Sequence, residues 1–178
     1  FKGLPGIGVK SAQRIVFNLI QQNQEKALFL SDAIKNALEN INECSNCRMY
    51  TDSELCQICS DPKRDSTMLC VIESPADMIA IENSLSFNGK YFVLMGKLSP
   101  LDGIGPDQLK LNKLEAILNN GSIKEIILAN SSTIEGEATA SYILNLIEGT
   151  DIQASRIAYG VPMGGELEYV DSSTLTQA

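Results

Sequence analysis

The 178-residue sequence contains no histidine and no tryptophan. The first absence removes the commonest general base and the commonest nitrogen ligand for metals, so Ser-His-Asp and Cys-His chemistry are excluded. No apolar run approaches the roughly 18 to 20 residues needed to span a bilayer, and the N-terminus lacks the basic, apolar and small-residue segments of a secretory leader. These absences predict a cytoplasmic protein without membrane attachment. Basic residues are few: 14 Lys plus Arg against 22 Asp plus Glu give a net charge of −8, which over the whole chain argues against indiscriminate attraction to nucleic acid. The balance is uneven. Residues 1–21 carry Lys2, Lys10 and Arg14 and no acid, whereas residues 66–178 carry six basic and fourteen acidic groups. A basic tip precedes an acidic body.

With 44% hydrophobic residues, a chain of this length is sufficient for one ordinary domain or two small modules, burying about 70% of the surface of its unfolded form. The opening Phe1-Lys-Gly-Leu-Pro-Gly-Ile-Gly8 reads as a tight turn feeding a helix from about Val9 to Gln22. A second helix is predicted at about 26–41, where Ala27, Leu30, Ile34, Leu38 and Ile41 recur at spacings of three and four and read as a buried stripe. Residues 44–65 are poor in large apolar side chains and cannot build a core. Beyond them, apolar runs at Met68–Glu73, Tyr91–Met95, Glu125–Asn130 and Arg156–Tyr159 alternate with helical stretches at about 75–85, 107–119 and 135–147. That alternation implies an α/β fold with a mostly parallel sheet. Ser74-Pro75-Ala76-Asp77 is a helix start, with Ser74 as cap and Pro75 in the first turn.

Cys44-x2-Cys47 and Cys56-x2-Cys59 form two knuckles separated by eight residues. Two such pairs close a tetrahedral zinc site of the structural kind, with no position left open for substrate. Two disulfides are the alternative, disfavoured by a reducing cytosol. Cys70 lies inside an apolar strand and reads as a buried small hydrophobe.

Leu4-Pro5-Gly6-Ile7-Gly8 before a helix resembles the hairpin of a helix-hairpin-helix DNA-binding motif. Gly6 and Gly8 would let backbone amides approach a phosphate, and Lys10 and Arg14, four apart, would flank the same strand. Taken alone, an ordinary interhelical turn remains an alternative. Gly8-Val9-Lys10-Ser11 is not a P-loop, because Gly and Lys are not adjacent and no apolar strand precedes them.

At the C-terminal ends of parallel strands, where such sheets bind ligands, Glu73, Asn130 and Glu135 are expected to converge. This region resembles the TOPRIM domain of topoisomerases, primases and related nucleases, in which a glutamate and an Asp-x-Asp pair hold magnesium. Aligning Glu135-Gly-Glu137-Ala with that family's Glu-Gly-Glu-Ala puts Ser131 and Thr133 at the two aspartate positions. What is left is Glu73, Asp77, Glu135 and Glu137, a depleted set for two-metal chemistry.

Taken together, the glycine hairpin, the four cysteines, the TOPRIM-like sheet and the closing stretch Gly160–Asp171 resemble the RecR family of bacterial recombination mediators across essentially the whole chain. Glu73-Ser-Pro-Ala-Asp77, Leu98-Ser-Pro-Leu-Asp-Gly-Ile-Gly-Pro106 and Glu135-Gly-Glu-Ala-Thr139 are its most specific matches. The resemblance implies a helix-hairpin-helix region at 1–43, a four-cysteine zinc finger at 44–65, a Rossmann-like TOPRIM domain at 66–160 and an interaction or oligomerisation segment at 161–178. It also implies a first hairpin helix before Phe1 and a short basic tail after Ala178. In function it implies a noncatalytic adaptor, a homotetrameric ring that works with RecO and in some bacteria RecF to load RecA on gapped or single-stranded DNA. Glu73, Asp77, Glu135 and Glu137 would then face a basic partner such as RecO. The closing stretch is expected to be a structural or intersubunit loop and not an ATP site. A magnesium-dependent TOPRIM nuclease or primase-type enzyme is the alternative, and Ser131 and Thr133 argue against it.

Overall fold

The computed structural model describes residues 1–158, 160–161, 164–170, 172 and 174. It comprises two compact units, Phe1–Asn42 and Glu43–Ala178.

The first unit holds α1 (Val9–Gln21) and α2 (Gln24–Asn40). The residues before α1 fold into turns in which the Leu4 amide donates to the Phe1 carbonyl (3.0 Å) and the Ile7 amide to the Leu4 carbonyl (3.2 Å). Gly6 sits at φ +76°, a left-handed conformation that glycine adopts without steric cost. The apolar stripe of α2 differs from the sequence expectation. No α2 residue is buried, and Leu38 is 81% exposed. Together with Phe1, Leu19 and Ile20, the residues Leu30 and Ile34 line an open apolar groove of about 420 Å³. Two short helices present more apolar surface than they can cover between themselves.

The short strand β1 (Asn42–Glu43) spans the boundary, and the second unit continues with β2 (Tyr50–Thr51) and the single-turn helix α3 (Gln57–Ser60). Its centre is a four-stranded sheet of β3 (Asp65–Ile72), β4 (Gly89–Val93), β5 (Glu125–Ala129) and β6 (Gln153–Arg156), in the order β4-β3-β5-β6 and all parallel. The crossover helices are α4 (Pro75–Asn83), α5 (Leu111–Leu118) and α6 (Ile134–Leu146). The last strand lies about three residues before its expected position, and Tyr159 falls outside the described residues. So do Pro162, Met163 and Asp171 of the closing glycine-rich stretch. Helix α5 starts later than expected because Lys110 takes a left-handed conformation (φ +52°), which delays the helix to Leu111.

Strand alternation assigns each face of the sheet its own core. Leu69, Val71, Phe92, Ile126 and Leu128 point to one face, where Leu114 and Leu118 of α5 and Ile143 of α6 cover them. Cys70, Ile72, Tyr91 and Val93 point to the other, where they meet Met78 of α4 and the cysteines Cys44, Cys47 and Cys56. The cysteine segment thus shares the core of the sheet. Cys70 is 3% exposed and its thiol is pushed up to about 12 by burial, the inert small hydrophobe expected. Among the described residues, no helix is long and apolar enough to cross a membrane.

One side chain fastens the segment to the sheet. Arg48, directly after the first knuckle and in a left-handed conformation, is 2% exposed. Its Nη1 donates to the carbonyls of Leu94 and Leu109, both at 2.8 Å, and its Nε to Glu43 at 3.1 Å. Glu43 also accepts from Lys110 at 2.9 Å. Burial works to raise the Glu43 carboxyl, but hydrogen bonds from Arg48 and Lys110 hold it below its ordinary value. Replacing Arg48 with Met would strand two buried carbonyls and remove the main partner of Glu43. Arg48→Met should therefore lower unfolding stability by about 3 kcal/mol, read as a reduced urea midpoint at fixed free zinc with an unchanged slope.

Candidate functional site

Three sets of side chains singled out in the sequence can be located. The first is the cysteine cluster. The Sγ atoms of Cys44, Cys47, Cys56 and Cys59 all lie within 4.8 Å of one another, with Cys47 and Cys56 3.5 Å apart. Four sulfurs bound to one zinc at about 2.3 Å stand about 3.8 Å from each other, so the cage has the right size. Backbone amides already point at the sulfurs: Met49 N donates to Cys47 Sγ (3.4 Å) and Cys56 N to Cys44 Sγ (3.3 Å).

The electrostatics call for a cation. Burial acts to raise the Cys44 thiol, but hydrogen bonds from the backbone of Cys47, Cys56 and Asn46 outweigh it and bring the group down to about 6. Cys47 moves up strongly, through its hydrogen bond with Cys59 and through burial, and burial pushes Cys56 up to about 11. Several thiolates cannot coexist in so small a space on their own; a dication removes that conflict and deprotonates its ligands. The cluster fits zinc in size, ligand type and charge. With three ligands buried and Cys59 half-buried, it is a closed structural site.

The second set is the glycine turn. Lys10 and Arg14 are both exposed, one helical turn apart on α1. No hydrogen bond or ion pair of theirs occurs among the described residues. Gly8 caps α1 through its backbone alone, and a Cβ built on Gly3, Gly6 or Gly8 meets nothing within 4 Å. The turn is open on the side from which a phosphate would approach.

The third set is the acidic edge, whose carboxylates have different hydrogen-bond partners. Glu73 follows β3 and Ser131 follows β5, adjacent strands whose succeeding helices α4 and α6 pack on opposite faces; this is the switch point of the sheet. Glu73 Oε1 accepts from the Ser131 amide (2.8 Å) and hydroxyl (3.0 Å). Asp77 serves α4: its Oδ2 accepts from the Ser74 amide and hydroxyl, both at 2.8 Å, while Ser74 Oγ accepts from the Asp77 amide, closing a reciprocal capping box. Glu137 takes a double hydrogen bond from Arg156 (2.6 and 2.7 Å) that holds its carboxyl below the ordinary value. Glu135 is exposed. Glu73 and Ser131 therefore come together, while Asp77 and Glu137 hydrogen-bond to other partners. Gly136 is required for this packing, because a Cβ there would stand 2.0 Å from the Ser131 carbonyl oxygen.

Sequence reasoning missed Lys97, Thr139 and Arg48. Lys97 Nζ donates to Ser131 Oγ (2.9 Å) and Thr133 Oγ1 (3.4 Å) and lies 3.5 Å from Glu73 Oε2. Thr139, fully buried, accepts from the Leu98 amide (2.9 Å) and donates to the Glu135 carbonyl (2.6 Å), pinning the loop that carries Lys97 to α6. A magnesium ion at this edge would need several oxygens, normally carboxylates or waters. The residues present offer one carboxylate, two hydroxyls and a lysine. They do not fit that ion.

The zinc assignment predicts one zinc per chain by elemental analysis and a lower zinc content in Cys59→Ser, which leaves three sulfurs and a weak ligand. Zinc-free purified protein with four reactive thiols would contradict it.

Comparison with known proteins accounts for all of these parts. Family models match as a RecR helix-hairpin-helix at residues 1–38, a RecR zinc finger domain of the four-cysteine type at 41–61, a Toprim domain at 67–158 and a RecR C-terminal segment at 160–178. Recombination protein RecR of Coxiella burnetii is 56% identical over 176 residues, covering 98% of this chain and 88% of that protein. Recombination protein RecR of Alcanivorax borkumensis is 51% identical over 178 residues, 100% of this chain and 89% of its own length. By identity and coverage alike, the chain belongs to the RecR family.

Proposed function

We propose that this chain is a noncatalytic mediator of recombinational DNA repair. It binds DNA as a ring-like homotetramer and works with RecO, and with RecF where present, to load RecA on gapped or single-stranded DNA. The observation that carries the DNA-binding part is the exposed Lys10 and Arg14 pair beside an open glycine turn, in a stretch of 21 residues without an acid. The acidic remainder repels DNA and confines contact to this tip. Backbone amides at Gly6 and Gly8 and the two cations bind phosphate and do not read bases. One copy makes few phosphate contacts, so its binding is weak and salt-sensitive, and several copies on one DNA supply the affinity through effective concentration. The ring and the named partners rest on the family.

Against the nuclease or primase alternative stand Ser131 and Thr133, together with Glu73 being held by Ser131. For the partner surface, Glu135 is the side chain to reverse, since Glu73, Asp77 and Glu137 also hold local structure.

Lys10→Ala with Arg14→Ala should abolish DNA binding at moderate salt, lower the log–log salt slope by about 1 for each phosphate that is no longer neutralised, and leave zinc content unchanged. Labelled DNA incubated with the protein and magnesium should stay intact. Unaltered DNA affinity of the double variant would make the basic tip an ordinary solvated helix face.

A further inference from the structure

Lys97 is held far more firmly than a surface lysine. The chain leaves β4 through Met95 (φ +62°) and Gly96 (φ +154°), and the Gly96 amide donates to the Glu73 carbonyl at 2.9 Å. On its other side the Leu98 amide donates to Thr139 Oγ1. Both neighbours of Lys97 are thus tied down, one to the end of β3 and one to α6, and the side chain is directed over the switch point. Its ammonium carries three donors, and three oxygen groups surround it: the Ser131 hydroxyl, the Thr133 hydroxyl and the Glu73 carboxylate. Each oxygen is fixed in turn. Glu73 is held by the Ser131 amide, and Thr133 Oγ1 caps α6 by accepting from the Gly136 amide at 3.2 Å. The Lys97 and Glu73 side chains are 34% and 14% exposed, so the pair is partly withdrawn from water.

A carboxylate and two hydroxyls converge on one point at the ends of adjacent parallel strands, the place where such sheets bind ligands. That point is filled by a side chain of the chain itself. We propose that Lys97 is a resident cation of this edge: its ammonium takes the place of a divalent ion, ties together the ends of β3, β4 and β5, and keeps metal out. The substitution balances charge, because one ammonium neutralises the single carboxylate at the point. A divalent ion would have to displace a cation anchored on both sides and would find only one charged ligand. Lys97 is a positioning residue, and this role extends the noncatalytic reading.

The test is Mn²⁺ binding to the zinc-loaded full chain, followed by electron paramagnetic resonance. Thr133→Asp supplies a second carboxylate and preserves the α6 cap, since Asp caps helices as well as Thr. Adding Lys97→Met to Thr133→Asp should strengthen Mn²⁺ binding at least about tenfold, because a positive charge about 3.5 Å from the ligand carboxylate is removed. Adding Lys97→Arg should leave affinity at the level of Thr133→Asp alone, and Glu73→Gln should abolish the gain. Should Lys97→Met fail to fold, Lys97→Gln removes the charge and keeps hydrogen bonding. Equal Mn²⁺ affinity with and without the lysine charge, or Glu73-dependent Mn²⁺ binding by the unaltered protein, overturns the proposal. Loss of DNA binding in the Lys10 and Arg14 variant bears on neither result, so the two readings fail separately.

Discussion

The Val93 amide on the outer side of edge strand β4 donates to the Cys47 carbonyl at 2.9 Å, and much of the second unit depends on that contact. An exposed edge of a parallel sheet is a template for unwanted pairing unless something covers it. Here the first zinc knuckle covers it. Arg48, the residue after Cys47, reaches over Phe92 to the Leu94 and Leu109 carbonyls, and Lys90 of β4 donates to the carbonyls of Ile58, Cys59 and Asp61 at 2.7, 3.2 and 3.0 Å. The knuckles lack a core of their own and use the Cys70, Ile72, Tyr91 and Val93 face of the sheet, while the sheet lacks a protected edge and obtains one from the knuckles. These contacts would couple zinc binding to the folding of the sheet.

The same unit handles charge by internal pairing. Of the carboxylates near the strand ends, Glu73 is held by Ser131 and Lys97, Asp77 by its own helix cap, and Glu137 by Arg156. Further along, Glu82 accepts from Arg64 and from Tyr91 (2.6 Å); the Arg64 hydrogen bond is the chief reason its carboxyl lies below the ordinary value. Each of these acids holds local structure, and the carboxylates of this edge are distributed among separate partners.

Much of this was legible in the sequence because periodicity and spacing are local. The alternation of apolar runs with helices pointed to the parallel sheet, the two C-x2-C pairs to the cage, and Ser74-Pro75 to the start of α4. What escaped was set by contacts between distant segments. Lys97 follows an ordinary strand, and only the three-dimensional return of residues 131–133 reveals its partners. Arg48 carries no sequence signal of its role, and only its 2% exposure and its hydrogen bonds to Leu94 and Leu109 place it between the knuckle and the sheet. The α2 stripe failed for a different reason: spacing three and four identifies a face, but not whether the unit has an element to cover it. The hydrogen-bond partners of the four acids likewise depend on distant residues, as the pairing of Glu137 with Arg156 shows.

The central claim is that the zinc knuckle and the sheet form one cooperative unit, joined along β4. Hydrogen exchange at the Val93 amide, with zinc bound and after chelation, tests it most directly. Loss of zinc should release Cys47 from the sheet edge and speed Val93 exchange by at least about tenfold, an opening cheaper by about 1.4 kcal/mol, with Leu128 in β5 affected less. Unchanged Val93 protection in zinc-free protein would contradict the account.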